Sequence, residues 1–332
     1  MVTVFDETAA AFATGKNGLV NTSHSETVRE PHNFKSSYVG LKLTHNYLCI
    51  YSTRAQYQKE KQVNEESIAN LEKAYTAGDM TRKAAKRLQY IVQEWAYICE
   101  EYNKNVKFKK GEHQRKLTFV TLTFPVDTFH TDQIIKQKML NYFLKVAARK
   151  WQARRYVWRA ERTKADRLHF HIVFDIYIDK DELNKEWNNI LDLNGYIEKY
   201  YNYTGKKNPP STNIEVVKSA DAIGAYCSKY MTKRGESDYI EGHVWGCCDE
   251  LRSLRPILVE PTEEEAKVIN QKCEEVSDNV VHLAYSTIIY IKNVEEAAKY
   301  IPDVVSDFLV SRYDNYKHLF AQEVCYQTNL FE

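Results

Sequence analysis

Hydrophobic positions follow two rhythms along this chain, and the switch between them marks its parts. Leu88, Ile91, Val92, Trp95 and Ile98 recur at the 3.6-residue period of an amphipathic helix between Thr81 and Asn103. Gln56 to Ala77 reads as a second helix, separated from the first by the breaker Ala77-Gly78-Asp79, which predicts an N-terminal helical hairpin. After the basic connection Lys107 to Lys116 the rhythm changes. Leu117 to Phe124 alternates as a strand ended by Pro125, and Asp132 to Trp151 is an amphipathic helix through Ile135, Met139, Tyr142, Phe143 and Val146. Arg155 to Thr163 and Leu168 to Ile176 are two strands around the polar turn Lys164-Ala165-Asp166. Lys180 to Leu193 is a helix stopped at Asn194-Gly195, Asn213 to Lys218 a short strand, and Ala220 to Arg234 a last helix capped by Ser219.

The order β-α-β-β-α-β-α predicts an α+β fold, a ferredoxin-like or RRM-like antiparallel sheet with helices packed on it. The expected organisation is a flexible arm over 1–30, a helical extension over 31–112, the sheet-bearing core over 113–236, and a mixed or helical extension over 237–332 with at least two further helices. There is no internal repeat.

Composition adds a constraint on partners. Lys and Arg number 46 against 45 Asp and Glu, so the whole chain is neutral, but its charge is unevenly placed. Lys145, Arg149, Lys150, Arg154, Arg155, Arg159, Arg162, Lys164 and Arg167 face only Glu161 and Asp166 in the same stretch, while Glu260 to Asp278 is acidic. That predicts a local phosphate-binding surface, with a solvated helix face as the alternative. The seven cysteines form no CxxC pair, so neither a zinc site nor a disulfide framework is expected, and the chain reads as reduced and cytoplasmic. No signal-peptide pattern and no membrane-length apolar run occurs. No GxxxxGK[ST] sequence is present, so no nucleotide cofactor is expected.

Two constellations carry chemistry. In Leu168 to Asp175 the period of two puts Leu168, Phe170, Ile172 and Phe174 on one face and His169, His171, Val173 and Asp175 on the other. The apolar set faces the core, so the two imidazoles project together, one pleat repeat apart. If the turn is a simple three-residue hairpin, Glu161 falls directly opposite His169. Glu161, His169 and His171 then form a mixed hard and borderline donor set suited to Mg²⁺ or Mn²⁺. The alternatives are two surface histidines and a Glu161 paired with Arg159 or Arg162. The second constellation is helical: Tyr226, Lys229, Tyr230 and Lys233 share one face, and Ile223, Cys227 and Met231 another. Two phenols beside two ammonium groups suit attack on a phosphodiester, and tyrosines at a domain seam are the alternative.

The strand Phe119-Val120-Thr121-Leu122-Thr123-Phe124, the His169-Phe170-His171 strand with upstream Glu161, and the Tyr226-xx-Lys229-Tyr230-xx-Lys233 helix stand in the order of the three motifs of HUH endonucleases. Over about Leu117 to Arg234, extending toward Trp245-Gly246, the chain resembles the replication initiators of small single-stranded DNA phages and rolling-circle plasmids. Helitron-type transposases share the paired tyrosines. The resemblance implies that His169 and His171 bind the metal with Glu161 as third ligand, and that Tyr226 or Tyr230 attacks DNA to leave a 5′-phosphotyrosine. It implies a single-stranded origin, hairpin or not, as substrate. Thr121, Thr123, Arg154, Arg155 and Arg167 are expected to guide that strand. Many viral relatives carry a helicase domain, and here unwinding and extension would fall to a host helicase and polymerase. The other readings are an HUH transposase or relaxase and a non-catalytic RRM-like module that stacks bases.

Overall fold

The structure is a computed structural model that describes residues 37–44, 47–54, 80–107, 114–163, 165–217, 240–275, 280–283 and 286–290. The chain divides into two compact units, Met1–Gln62 with Arg255–Glu332, and Val63–Leu254. Each carries a five-stranded sheet whose neighbours pair antiparallel, which makes the fold α+β.

In the Val63–Leu254 unit the elements are α1 (Arg82–Asn105), β3 (Thr118–Thr123), α2 (residues 132–150), β4 (Tyr156–Arg162), β5 (Leu168–Phe174), α3 (Lys180–Leu193), α4 (Tyr196–Thr204), β6 (Thr212–Val216), β7 (Trp245–Cys247) and α5 (Asp249–Arg252). The strand order is β6-β3-β5-β4-β7. Strands β3 and β4, joined through α2, are both antiparallel to β5 and so run parallel with β5 between them. The β4–β5 turn places Asp166 at φ 56° and is closed by two backbone bonds, from Thr163 N to Arg167 O at 2.8 Å and from Asp166 N to Thr163 O at 2.9 Å. This is the hairpin that the sequence predicts.

Alternation fixes which face is which. Val120, Leu122, Phe170, Ile172, Phe174 and Ala160 point to one side and are buried. Their cover includes Phe143 of α2 and Trp187 of α3, whose rings meet edge to face at 5.9 Å, with Phe124 5.7 Å from Trp187. Each such ring contributes about 1.5–3 kcal/mol of burial. Helix α2 is α-helical at Asp132–Ile134 and Asn141–Lys150 and π-helical at Ile135–Leu140 between them. The other face carries Arg155, Val157, Arg159 and Glu161 from the β4 side and Asp175, Val173, His171 and His169 from the β5 side. Helix α1, capped by Thr81, belongs to this side: Met80 just before it accepts a bond from Arg159 Nη1 at 3.4 Å, and the Cys99 thiol feels the charges of Asp175 and Arg155.

Helix α4 is absent from the sequence expectation. Gly195, at φ +80°, ends α3 and starts α4 at once, so the stop signal at Asn194-Gly195 is real but does not begin a loop. Strand β7 is likewise an addition, paired with β4 through Arg159 opposite Trp245. The expected helices Gln56 to Ala77 and Ala220 to Arg234 lie outside the described residues.

The other unit corrects the expectation of a wholly helical N-terminal extension. Residues 37–54 form a hairpin, β1 (Ser37–Leu43) and β2 (Tyr47–Arg54), because Leu41, Leu43, Leu48 and Ile50 alternate inward. It joins β8 (Ile257–Val259), β9 (Val280–Leu283) and β10 (Ser286–Tyr290) in the order β8-β1-β2-β10-β9, together with α6 (Glu263–Glu274). Gly40 faces Tyr51 across this hairpin, and a Cβ there would fall 2.4 Å from the ring, so a larger residue would require the Tyr51 ring to move.

Candidate metal centre

The register of three strands assembles the centre. Thr121, His171 and Arg159 pair across β3, β5 and β4 in one row, and Thr123, His169 and Glu161 in the next. The pairing of Glu161 with His169 is the one the hairpin length predicts. Glu161 Oε2 lies 3.5 Å from His169 Nε2 and 3.3 Å from His171 Nε2. The imidazole rings meet edge to face with centroids 4.6 Å apart. One carboxylate oxygen and two ring nitrogens thus come within 4.8 Å of one another, and among the described residues they are the group of three able to hold a metal ion.

Neighbours set the state of each donor. Thr121 Oγ1 is hydrogen-bonded with His171 Nδ1 at 3.2 Å, which leaves Nε2 turned toward Glu161. Burial pushes the His171 pKa down, against the upward pull of the Glu161 hydrogen bond, so its imidazole is neutral near neutral pH. Burial alone would raise the Glu161 carboxyl. Hydrogen bonds from His169 and His171, with the positive charge of Arg159 behind them, hold it instead at about 2. A neutral imidazole and an ionised carboxylate are the forms that ligate a metal. The donor set therefore fits a hard or borderline divalent ion.

The alternative partner for Glu161 is present as well. Arg159 Nε is 3.1 Å from Glu161 Oε1, so the two oxygens divide their work, one toward the guanidinium and the other toward the imidazoles. Arg162 turns to Asp132 instead, with both carboxylate oxygens 2.9 Å from Nη2.

The predicted strand-guiding residues fall into different environments. Thr121 is half-buried and bonded to His171, and Thr123 is half-buried beside His169 in the register. Arg154 is exposed. Arg167 sits at the turn, its Nε 3.2 Å from Asp127 and Nη1 donating to Pro125 O at 3.3 Å. Arg155 is the correction: it is 4% exposed, with Nε 2.6 Å from the buried Asp175, and cannot reach a strand on the surface. Tyr226, Lys229, Tyr230 and Lys233 lie outside the described residues.

Sequence reasoning missed a polar clasp at the side of the centre. Asp132 accepts from Glu241 N at 3.0 Å besides Arg162, Lys136 donates to the carbonyls of Glu241 and His243, and Ala160 N donates to Val244 O at 2.8 Å. These bonds hold residues 240–244 against the strand that carries Glu161. They join positions about a hundred residues apart, and no local signal announces them.

Residues 117–235 match the profile of a rolling-circle family described as Replication-associated protein ORF2. The matched stretch contains Glu161, His169 and His171 and ends just beyond Lys233. No curated protein and no solved structure matches the chain. This part of the molecule is thus similar to a replication-associated family, which is consistent with a DNA-directed role.

Proposed function

We propose that this protein is a rolling-circle replication initiator that nicks and rejoins single-stranded DNA through a tyrosine, with Glu161, His169 and His171 holding Mg²⁺ or Mn²⁺. The observation that carries the reading is the convergence of one carboxylate oxygen and two imidazole nitrogens within 4.8 Å, inside the stretch similar to the replication-associated family. An ion held by these residues would supply positive charge to offset the negative charge of the scissile phosphate. The order β6-β3-β5-β4 supports a ferredoxin-like core of the HUH kind with β7 added at one edge.

The chain's own residues then divide the chemistry. Tyr226 attacks the phosphorus, the 3′-oxygen of the preceding nucleotide leaves, and the strand is joined to the phenol through its 5′-phosphate. One ester replaces another, so the bond energy is kept and the strand can be rejoined. Lys229 and Lys233 lower the cost of the phenolate, and Tyr230 attacks after one round of synthesis. Thr123, Arg154 and Arg167 guide the strand, a host helicase unwinds, a host polymerase extends the free 3′-hydroxyl, and the work takes place in the host cytoplasm.

Residues 218–239 join β6, on one edge of the sheet, to the segment leading into β7 on the other. Tyr226 and Tyr230 fall within that connection in the sequence. A module that only stacks bases is less well supported, because His171 is 6% exposed and engaged by both Thr121 and Glu161. The test is incubation with candidate single-stranded origins and Mn²⁺, followed by a denaturing gel. A covalent adduct lost in Tyr226→Phe is the expected result. The absence of any adduct with every divalent ion and origin tried would defeat the reading.

A further inference from the structure

We propose that Arg159 makes this centre a poor site for a free metal ion and a good one for an ion that arrives with a phosphodiester. The inference rests on the reading of Glu161, His169 and His171 as ligands, and it assigns the buried cation beside them a role in coupling ion and DNA.

Arg159 sits directly opposite His171 and two residues before Glu161, on the same face of the sheet. It is 6% exposed, and its guanidinium lies between Glu161, with Nε 3.1 Å from Oε1 in an ion pair that lacks hydrogen-bond geometry, and Met80, whose Sδ is 3.4 Å from Nη1. Two consequences follow from that position. The first is geometric. With Oε1 turned to the guanidinium and Oε2 to the imidazoles, Glu161 gives a metal one oxygen, and positions around the ion are left for phosphate oxygens.

The second is electrostatic. Glu161 and Arg159 carry opposite charges and meet at 3.1 Å, so the carboxylate's charge is already matched before any ion binds. A divalent ion then adds positive charge next to a buried cation in a partly desolvated site, where Glu161 is the one carboxylate of the three-donor group among the described residues. A phosphodiester supplies the missing negative charge. Ion and single strand must each raise the affinity of the other, because coupling between two ligands is reciprocal.

The experiment measures Mn²⁺ binding to the full-length protein by electron paramagnetic resonance, with and without an oligothymidylate. The proteins compared are wild type, Arg159→Gln, which loses the charge but keeps an N–H for Glu161, and Arg159→Lys. Wild type should bind free Mn²⁺ weakly and about tenfold more tightly with the oligonucleotide. Arg159→Gln should bind free Mn²⁺ about tenfold more tightly than wild type and gain less from the oligonucleotide, while Arg159→Lys stays near wild type. Unchanged or weaker Mn²⁺ binding in a folded Arg159→Gln would overturn the proposal, leaving Arg159 as a prop for Glu161. If circular dichroism shows Arg159→Gln unfolded, wild type decides alone, and no gain from the oligonucleotide overturns the proposal. Failure of wild type to bind Mn²⁺ under either condition would defeat the metal reading itself, a distinct result.

Discussion

The two ends of the β4–β5 ladder carry charged groups on the same face and treat them in opposite ways. At one end Arg155 and Asp175, 4% and 0% exposed, meet at 2.6 Å. At the other, Glu161 and His169 are only partly buried, and Glu161 shares one oxygen with two imidazoles while Arg159 takes the second. Val157 and Val173, both fully buried, separate the two ends. The first end is closed to solvent: Asp175 gives one oxygen to Arg155 and keeps the other, Oδ1, buried without a hydrogen-bond partner. The second is open and has donor atoms turned toward a common point, which is what a site for an ion requires. Burial alone does not mark function; unspent donor capacity beside solvent does.

Removing a ligand should break the open end without touching the closed one. His171→Ala is expected to weaken Mn²⁺ binding by at least about a hundredfold and to abolish adduct formation, with a smaller loss of thermal stability than Arg155→Met. Calorimetry and a denaturing gel read the two effects. Retained cleavage in His171→Ala would contradict the ligand assignment.

The closed end should behave in the reverse sense. Arg155→Met leaves the Asp175 carboxylate buried and unpaired, and is expected to cost about 3–5 kcal/mol in denaturant unfolding. Replacing both partners by apolar residues, Arg155→Met with Asp175→Leu, should recover most of that loss. Mn²⁺ affinity of either folded variant should stay near wild type. A drop in affinity equal to that of the ligand variants would erase the distinction between the ends.

This contrast also explains what was legible in the sequence. Alternation along Leu168 to Asp175 and the length of the turn sufficed to pair Glu161 with His169, because hairpin register is a local property. Period located α1, and the stop at Asn194-Gly195 bounded α3. Arg155 was not legible, since a basic residue in a basic run reads as surface and its partner Asp175 is 20 positions away. The clasp of Asp132 and Lys136 on residues 240–244, and the pairing of Trp245 with Arg159, depend on tertiary register that no local pattern encodes. The hairpin of residues 37–54 was missed for a different reason: Cys49 and Tyr51 follow the inward Leu48 and Ile50 on the opposite face, so the alternation of the set Leu41, Leu43, Leu48 and Ile50 is blurred.

A smaller effect at the open end tests how ligand orientation is set. Thr121→Val removes the hydroxyl bonded to His171 Nδ1 and keeps the shape, so Mn²⁺ affinity should fall about tenfold, the range for a group that orients a ligating histidine. Thr121→Ser should restore it. If Thr121→Val binds Mn²⁺ as wild type does, the hydrogen bond does not orient the ring.

The smallest effect uses two thiols as reporters of the closed end. Cys99 on α1 feels Asp175 and Arg155, and Cys248 N donates to Tyr156 O at 3.1 Å, one residue from Arg155. Burial pushes the Cys99 thiol well up and the Cys248 thiol to about 12. A raised pKa means the thiol stays protonated, and only the thiolate alkylates. At pH 8.5 an ordinary cysteine is about half thiolate, whereas about one part in three thousand of native Cys248 is. Native alkylation by iodoacetamide should therefore be negligible at both positions up to that pH and become rapid once the unit opens and the pKa values return to normal. Arg155→Met should speed it through more frequent opening, while His171→Ala should leave it near the wild-type rate. Equal acceleration in both variants, followed residue by residue in a mass spectrometer, would show that the two ends open as one.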